Sequence, residues 1–395
     1  IVYSVFENLG IISYVNLVII ALFLPLLPVS IGGLISYFVG LLMRKLKNKS
    51  LINIAFSLVL FFGIMYISQN SDSILTYLTA NGGNILDAIS KYYFPAALIL
   101  NALNGNILYA LLFAALNILP LFLIFPLISR KYSVIVAGYN QVTHKNNYVL
   151  KTEKRASPFK SCLKKELSHL FSSANYLLNS ASGALMLVVF TIMFVSQKGM
   201  QDSLTGLLGA SGLGLVVSIS AIFACTMTST TSSAISLEGK TLWIYKSAPV
   251  TVLTIFKSKI CVNIIINTPL SFIYTTVLSI VFKIPLANAI LTTLLPIICI
   301  VFTSILGLLI NLFKPKMIWQ NEIQVIKQSL SVLLTMLCGF LFTALLCIAA
   351  IIPIQFYGFG YIEIMLLICA VIILVLIGMY KLLSVWGVKK FNKLY

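Results

Sequence analysis

The sequence predicts an all-α, polytopic transmembrane bundle, and three observations carry that expectation. Hydrophobic residues make up 60% of the 395-residue chain and charged residues only 9%, against about a quarter charged in a soluble domain. A globule this apolar could not cover its own surface with polar groups, so a bilayer must solvate it. Nine apolar stretches are long enough, or nearly so, to cross a hydrocarbon core of about 30 Å, which takes about 20 helical residues. These runs are continuous and do not alternate with a period of two. Lipid therefore admits them as helices, not as a barrel. Finally, the basic residues sort to one side of that span map, as argued below.

The stretches run roughly 10–43, 51–67, 106–127, 176–196, 206–229, 260–282, 288–312, 329–353 and 362–381. Pro25 and Pro28 interrupt the first, which predicts a kink. If that stretch enters from outside, 24 of the 27 Lys and Arg residues fall in alternate, cytoplasmic loops, and only Lys91, Lys198 and Lys283 fall elsewhere. A wrong span count would scramble this asymmetry, so charge checks the topology independently of hydropathy. It places the C-terminus in the cytoplasm. The formal charge of +18 would point to nucleic acid in a soluble protein; here it is loop charge, and no nucleic-acid partner is expected.

Three parts follow in order: residues 1–127 with three spans and an outer segment at 68–105, a basic cytoplasmic linker at 128–159, and residues 160–395 with a connecting helix and six spans. The chain opens on Ile1 and has no Met before Met43, so it reads as a fragment. The three early spans match the last three of the six in topology, giving about nine spans, or one and a half copies of a six-span unit. Within the outer segment, the apolar patch from Tyr92 to Leu103 is too short to span and reads as re-entrant or interfacial.

Ser157-Pro158 is an N-cap followed by proline at the first helical position. The helix it predicts carries Leu163, Leu167, Leu170 and Phe171 on one face and Lys164, Lys165 and Ser168 on the other, suited to the membrane interface. Between the second and third of the six spans lies SLEGKTLWIYKSAPVTVLTIFKSKI, Ser236 to Ile260. Ser236 can cap a short helix with Glu238 in its first turn, and Pro249 ends it. Such a helix would present Trp243 and Tyr245, either as a docking surface or as an aromatic belt.

The seven cysteines are scattered, with no C-x-x-C pair, so neither metal ligation nor a disulfide framework is expected. His144 and His169 have no acidic or Cys partner at ligand spacing. No Asp, Glu, Lys or Arg occupies a span centre, where ion-coupled carriers place one. Asn117, Asn179, Asn263, Asn267 and Tyr274 are the intramembrane polar groups that could line a path or bond between helices. Gly206, Ala210, Gly214 and Ser218 form a small-xxx-small face for helix packing.

The string from Ser236 resembles the cytoplasmic loop of the permeases of type-2 ATP-binding-cassette (ABC) exporters, where an acidic residue and glycine precede an aromatic-aliphatic helix, a proline and a lysine before the next span. Glu238, Gly239, Trp243, Pro249 and Lys259 match those places, with Lys240 and Tyr245 inside the same string. The connecting helix and the stretch FKPKMIWQNEIQVIKQSLS from Phe313 resemble the family too. The likeness is greatest to large fused bacterial permeases. It implies a permease of the cytoplasmic membrane, without catalytic residues, whose loop acts as a coupling helix seated in a partner ATPase, present in two copies. The chain has no G-x-x-x-x-G-K-[ST] phosphate loop, so ATP and Mg²⁺ would be bound by that partner and no cofactor by this chain. A membrane enzyme acting on lipid-linked substrates is the alternative, with Asp72 and Asp87 as its nearest acidic pair. A structural subunit without transport is a third reading.

Overall fold

A computed structural model describes residues 10–45, 49–80, 94–140, 157–196, 198–228 and 230–394. Every regular element among them is helical. Seven helical segments are long and apolar enough to cross a membrane, Ile11–Val39, Ile107–Arg130, Gly212–Ser233, Val252–Val281, Leu286–Phe313, Ile323–Ile354 and Tyr361–Lys393, and two shorter apolar ones are Ala55–Ser68 and Ser182–Ser196. The protein is thus a multi-pass α-helical membrane protein. The chain divides into two compact units, 1–49 with 66–150, and 50–65 with 151–395.

In the first unit α1 (Ile11–Phe23) gives way to α2 (Leu26–Lys45) at Leu24-Pro25, where a proline cannot continue the hydrogen-bond ladder. Helix α3 (Lys49–Gln69) is followed by α4 (Ser71–Ala80). In the patch expected to be re-entrant or interfacial, Tyr92 and Tyr93 lie outside the described residues, and the rest is α5 (Phe94–Leu103), a ten-residue helix. It buries Leu98 and Ala102 with Ile20 of α1 and with Ala110 and Phe113 of α6 (Ile107–Asn140). Asn16 donates to the Ala102 carbonyl at 2.8 Å, pinning the helix end. Gly105, at φ 93°, makes the left-handed turn into α6.

The second unit begins with the amphipathic α7 (Pro158–Ser172), capped by Ser157, which accepts from Lys160 N. The expected span 176–196 is two helices, α8 (Ala174–Ser180) and α9 (Ser182–Ser196), broken at Ala181. Fifteen residues rise about 22 Å, so α9 alone falls short of a crossing. Helix α10 (Lys198–Thr226) bends at Gly209, whose φ of 61° lies outside the helical region. Next come α11 (Thr230–Ser233), α12 (Leu242–Ser247), α13 (Val252–Val281) and α14 (Leu286–Phe313). The rest are α15 (Ile323–Ile326), α16 (Leu330–Tyr357), α17 (Tyr361–Leu382) and, beyond a π-helical turn at Leu383–Gly387, α18 (Val388–Lys393).

Helix α14 is the axis of this unit, packing against α10, α13, α16 and α17. Helices pack closely in lipid where small residues let backbones approach. A Cβ on Gly183 would lie 1.9 Å from the Ala224 carbonyl oxygen, and one on Gly214 2.8 Å from the Tyr361 hydroxyl. Ser218 extends that small face, donating to the Gly214 and Thr292 carbonyls, whereas Gly206 has open space around it.

Candidate functional site

The chain leaving α10 does not run out into a solvated loop. It carries a hydroxyl-rich stretch in which Thr230, Thr231, Ser232, Ser233 and Ser236 are all buried. Polar backbone placed there must find partners within the protein. Asn311 of α14 supplies them, its Oδ1 accepting from Ile235 N at 2.8 Å and Ser236 N at 3.1 Å. Its Nδ2 donates to Ser236 Oγ at 2.8 Å and Ser331 Oγ at 3.0 Å. Ser236 is therefore an anchor and not the helix cap the sequence suggested. It also accepts from Lys316 N at 2.9 Å, and its carbonyl accepts from the Trp319 indole at 2.8 Å. Gly239 then turns at φ 47°, where a Cβ would meet that indole nitrogen at 2.9 Å. Both the conformation and the space demand glycine.

Beside this anchor five side chains from four segments form a buried charge cluster. Lys259, in the first turns of α13, is 2% exposed. Its ammonium reaches Glu166 Oε1 of α7 at 2.7 Å, Glu238 Oε1 at 2.8 Å and the Ala234 carbonyl at 3.1 Å. An ammonium has three donors, so all are used. Lys165, half exposed at the rim, reaches Glu238 Oε2 at 2.9 Å and lies 3.9 Å from the Tyr245 ring centroid. The Tyr245 hydroxyl donates to Glu166 Oε1 at 2.6 Å. Two carboxylates and two ammonium groups thus balance, with Glu166 Oε1, both Glu238 oxygens and the Lys259 ammonium all paired, the condition under which buried charge is tolerated. Burial pushes the Glu238 carboxyl upward, but the ammonium groups of Lys259 and Lys165 outweigh it and lower its pKa to about 2. Burial, then the two carboxylates, raise that of the Tyr245 phenol, which stays a donor.

The cluster draws together Glu238, Tyr245 and Lys259 from the motif. Trp243 is 65% exposed, but Tyr245 is buried, a correction to the expectation that α12 presents both aromatics. A six-residue helix shows one side only, and Glu166 gives Tyr245 a reason to face inward. Glu238 likewise serves the cluster and not the first turn of a helix. Pro249 lies exposed in the bend between α12 and α13. Lys240 lies in the turn at Gly239–Thr241; its side chain falls outside the described set. Sequence reasoning missed Glu166, Lys165 and Asn311. The available signal was Glu166 itself, the one acid in an otherwise basic helix, in phase with Cys162 and Leu170. Those three are the fully buried stripe of α7; of the expected leucine face Leu170 is buried, Leu163 and Leu167 pack half-buried beside it, and Phe171 is 49% exposed.

The intramembrane polar groups bond to one another. Asn263 donates to Ser304 Oγ at 2.8 Å and accepts from Thr230, while Asn267 accepts from Thr228 at 2.9 Å. The Tyr274 and Ser220 hydroxyls are 2.6 Å apart. Asn179 is half-buried and partnered too. Asn117 donates to the Phe113 carbonyl of its own helix. In this conformation Asn263, Asn267 and Tyr274 hold α13 against α10, α11 and α14.

His169 has no acidic neighbour at ligand spacing in sequence, but the fold brings its Nε2 to 3.4 Å from Glu322 Oε1, a contact across 153 residues. That hydrogen bond holds the Glu322 carboxyl below its ordinary value. His144 and Asp87 lie outside the described residues, as does the side chain of Asp72. Among the described residues no three His, Cys, Asp or Glu side chains gather as a metal site would require. No protein-family model, curated protein or solved structure matches the chain.

Proposed function

We propose that the chain is the membrane-spanning permease subunit of an ABC exporter, moving its substrate by alternating access driven by a separate ATPase. One observation carries the reading. The short helix α12, with Trp243 and Ile244 exposed, is joined through Tyr245, Glu166 and Lys259 to the head of the membrane helix α13. A push on α12 therefore reaches α13 through one hydrogen bond and one buried ion pair, with α7 as the shared brace. Rigid elements joined by such networks transmit displacement. The likeness of the Glu238–Lys259 string to the coupling loop of type-2 permeases supplies the partner, two copies of an ATPase that bind ATP and Mg²⁺. In this reading α12, Glu238, Gly239 and Pro249 set the coupling surface, and rearrangement of the Asn263, Asn267 and Tyr274 bonds opens the path. The membrane is crossed nine times, with α3 and the α8–α9 pair as the two crossings made by shorter apolar helices.

Trp243→Ala tests the coupling. Truncating an aromatic anchor seated in a partner's pocket costs about 2 kcal/mol or more, roughly thirtyfold in affinity. The variant is expected to insert and fold normally but lose its ATPase on co-purification and uncouple hydrolysis from export. Wild-type stoichiometry with normal export would reject the proposal.

Labelling with an impermeant thiol reagent tests the topology. In a Cys-free background, a cysteine at the exposed Ser71 is expected to react on intact cells and one at the exposed Ser157 only after they are opened. The reverse pattern would invert the map.

A further inference from the structure

Helix α7 turns one stripe inward, and its other side carries an open apolar groove lined by Leu163, Leu167 and Phe171, with Lys160, Lys164 and Ser168 along it. Leu163 and Leu167 are only half-buried, Phe171 is 49% exposed, and both lysines are exposed. The lysines are one helical turn apart, so they stand on the same side of the helix. Neither is in an ion pair among the described residues. The only acid of α7, Glu166, is held on the inward side by Lys259. The groove is therefore apolar along its length and positively charged at its edge, with no carboxylate among the described residues that line it.

We propose that this groove is a binding site for an anionic phospholipid, independent of whether the chain is an exporter subunit. One acyl chain lies along Leu163, Leu167 and Phe171, and the phosphodiester sits between Lys160 and Lys164. Charge complementarity selects the occupant. Two unpaired ammonium groups beside a slot for a hydrocarbon chain match one molecule that is both anionic and apolar. The chain order is compatible with this, because α7 runs through Ser173 alone into α8 and the apolar α9; the proposal places the end of α7 at headgroup depth. Each lysine near an anionic membrane surface contributes about fivefold in affinity, so the pair contributes roughly thirtyfold.

The test uses the full chain in nanodiscs containing equal mole fractions of phosphatidylcholine and phosphatidylglycerol. One lipid at a time carries a diazirine in its acyl chain, and labelling is read on the peptide covering residues 158–172. The expected result is preferential labelling by the phosphatidylglycerol probe, falling roughly fivefold in Lys160→Gln or Lys164→Gln and vanishing in the double variant. Lys160→Arg with Lys164→Arg is expected to keep the preference, which separates charge from folding. Equal labelling by the two probes, or a preference that survives the double glutamine variant, would overturn the proposal. So would loss of a bound protein partner from the double variant with lipid labelling unchanged, since the groove would then be a protein interface.

Discussion

Lys259→Met is expected to destabilise the second unit by about 3–5 kcal/mol, the usual cost of removing one partner from a buried ion pair. The substitution leaves Glu166 and Glu238, both 8% exposed, as two buried carboxylates with only the half-exposed Lys165 nearby. That is a large fraction of the 5–15 kcal/mol by which a typical protein is stable. The readout is the thermal unfolding temperature in detergent together with the yield of monodisperse protein. Lys165→Met should cost far less, about 0–1 kcal/mol, because its ammonium keeps much of its water. The triple variant Lys259→Met, Glu166→Gln, Glu238→Gln removes all the buried charge and should recover most of the loss, since glutamine oxygens still accept from Tyr245 and Lys165. A Lys259→Met protein as stable as wild type would show that the cluster does not hold these segments together.

Acid should dissolve the same cluster in a defined window. A carboxyl whose folded pKa is depressed contributes stability that is complete above its unfolded value and is lost as pH falls through the folded one. For Glu238 those values are the ordinary 4.5 and about 2, so the loss falls between them. Lys165 is one of the two charges that depress the value, so Lys165→Met should move the acid transition to higher pH.

The long helices were legible because hydropathy and charge mark their ends. The stretches expected at 288–312, 329–353 and 362–381 are helices at Leu286–Phe313, Leu330–Tyr357 and Tyr361–Leu382. Where backbone conformation decides the outcome, the sequence misleads. The bend at Gly209 and the break at Ala181 lie inside apolar runs that look continuous by composition. Partners distant in sequence were beyond reach as well. Asn263 and Asn267 stand out as polar residues in a span, but Thr228, Thr230 and Ser304 are named only once the helices pack. The inward turn of Tyr245 has the same origin, since the acceptor that draws it lies 79 residues away on α7.

Asn311→Leu is expected to release the segment that carries this cluster. Asn311 is fully buried, and its one carbonyl oxygen serves two backbone amides, Ile235 and Ser236. Leucine fits the apolar helix but leaves both amides without an acceptor, at about 1–3 kcal/mol each. The hydroxyls it also served are less exposed to the loss. Ser236 still accepts from Lys316, and Ser331 still donates to the Ser232 carbonyl at 2.9 Å. The damage should therefore appear in the backbone at 235–236, two to three residues before Glu238. Hydrogen exchange reports it directly. A loss of ~2 kcal/mol or more corresponds to exchange faster by about thirtyfold or more at these two amides. Asn311→Asp keeps the acceptor oxygen and should preserve the protection. Slow exchange at both amides in Asn311→Leu would mean that Trp319 and Lys316 suffice to hold the loop, and that Asn311 is a passive filler of the bundle.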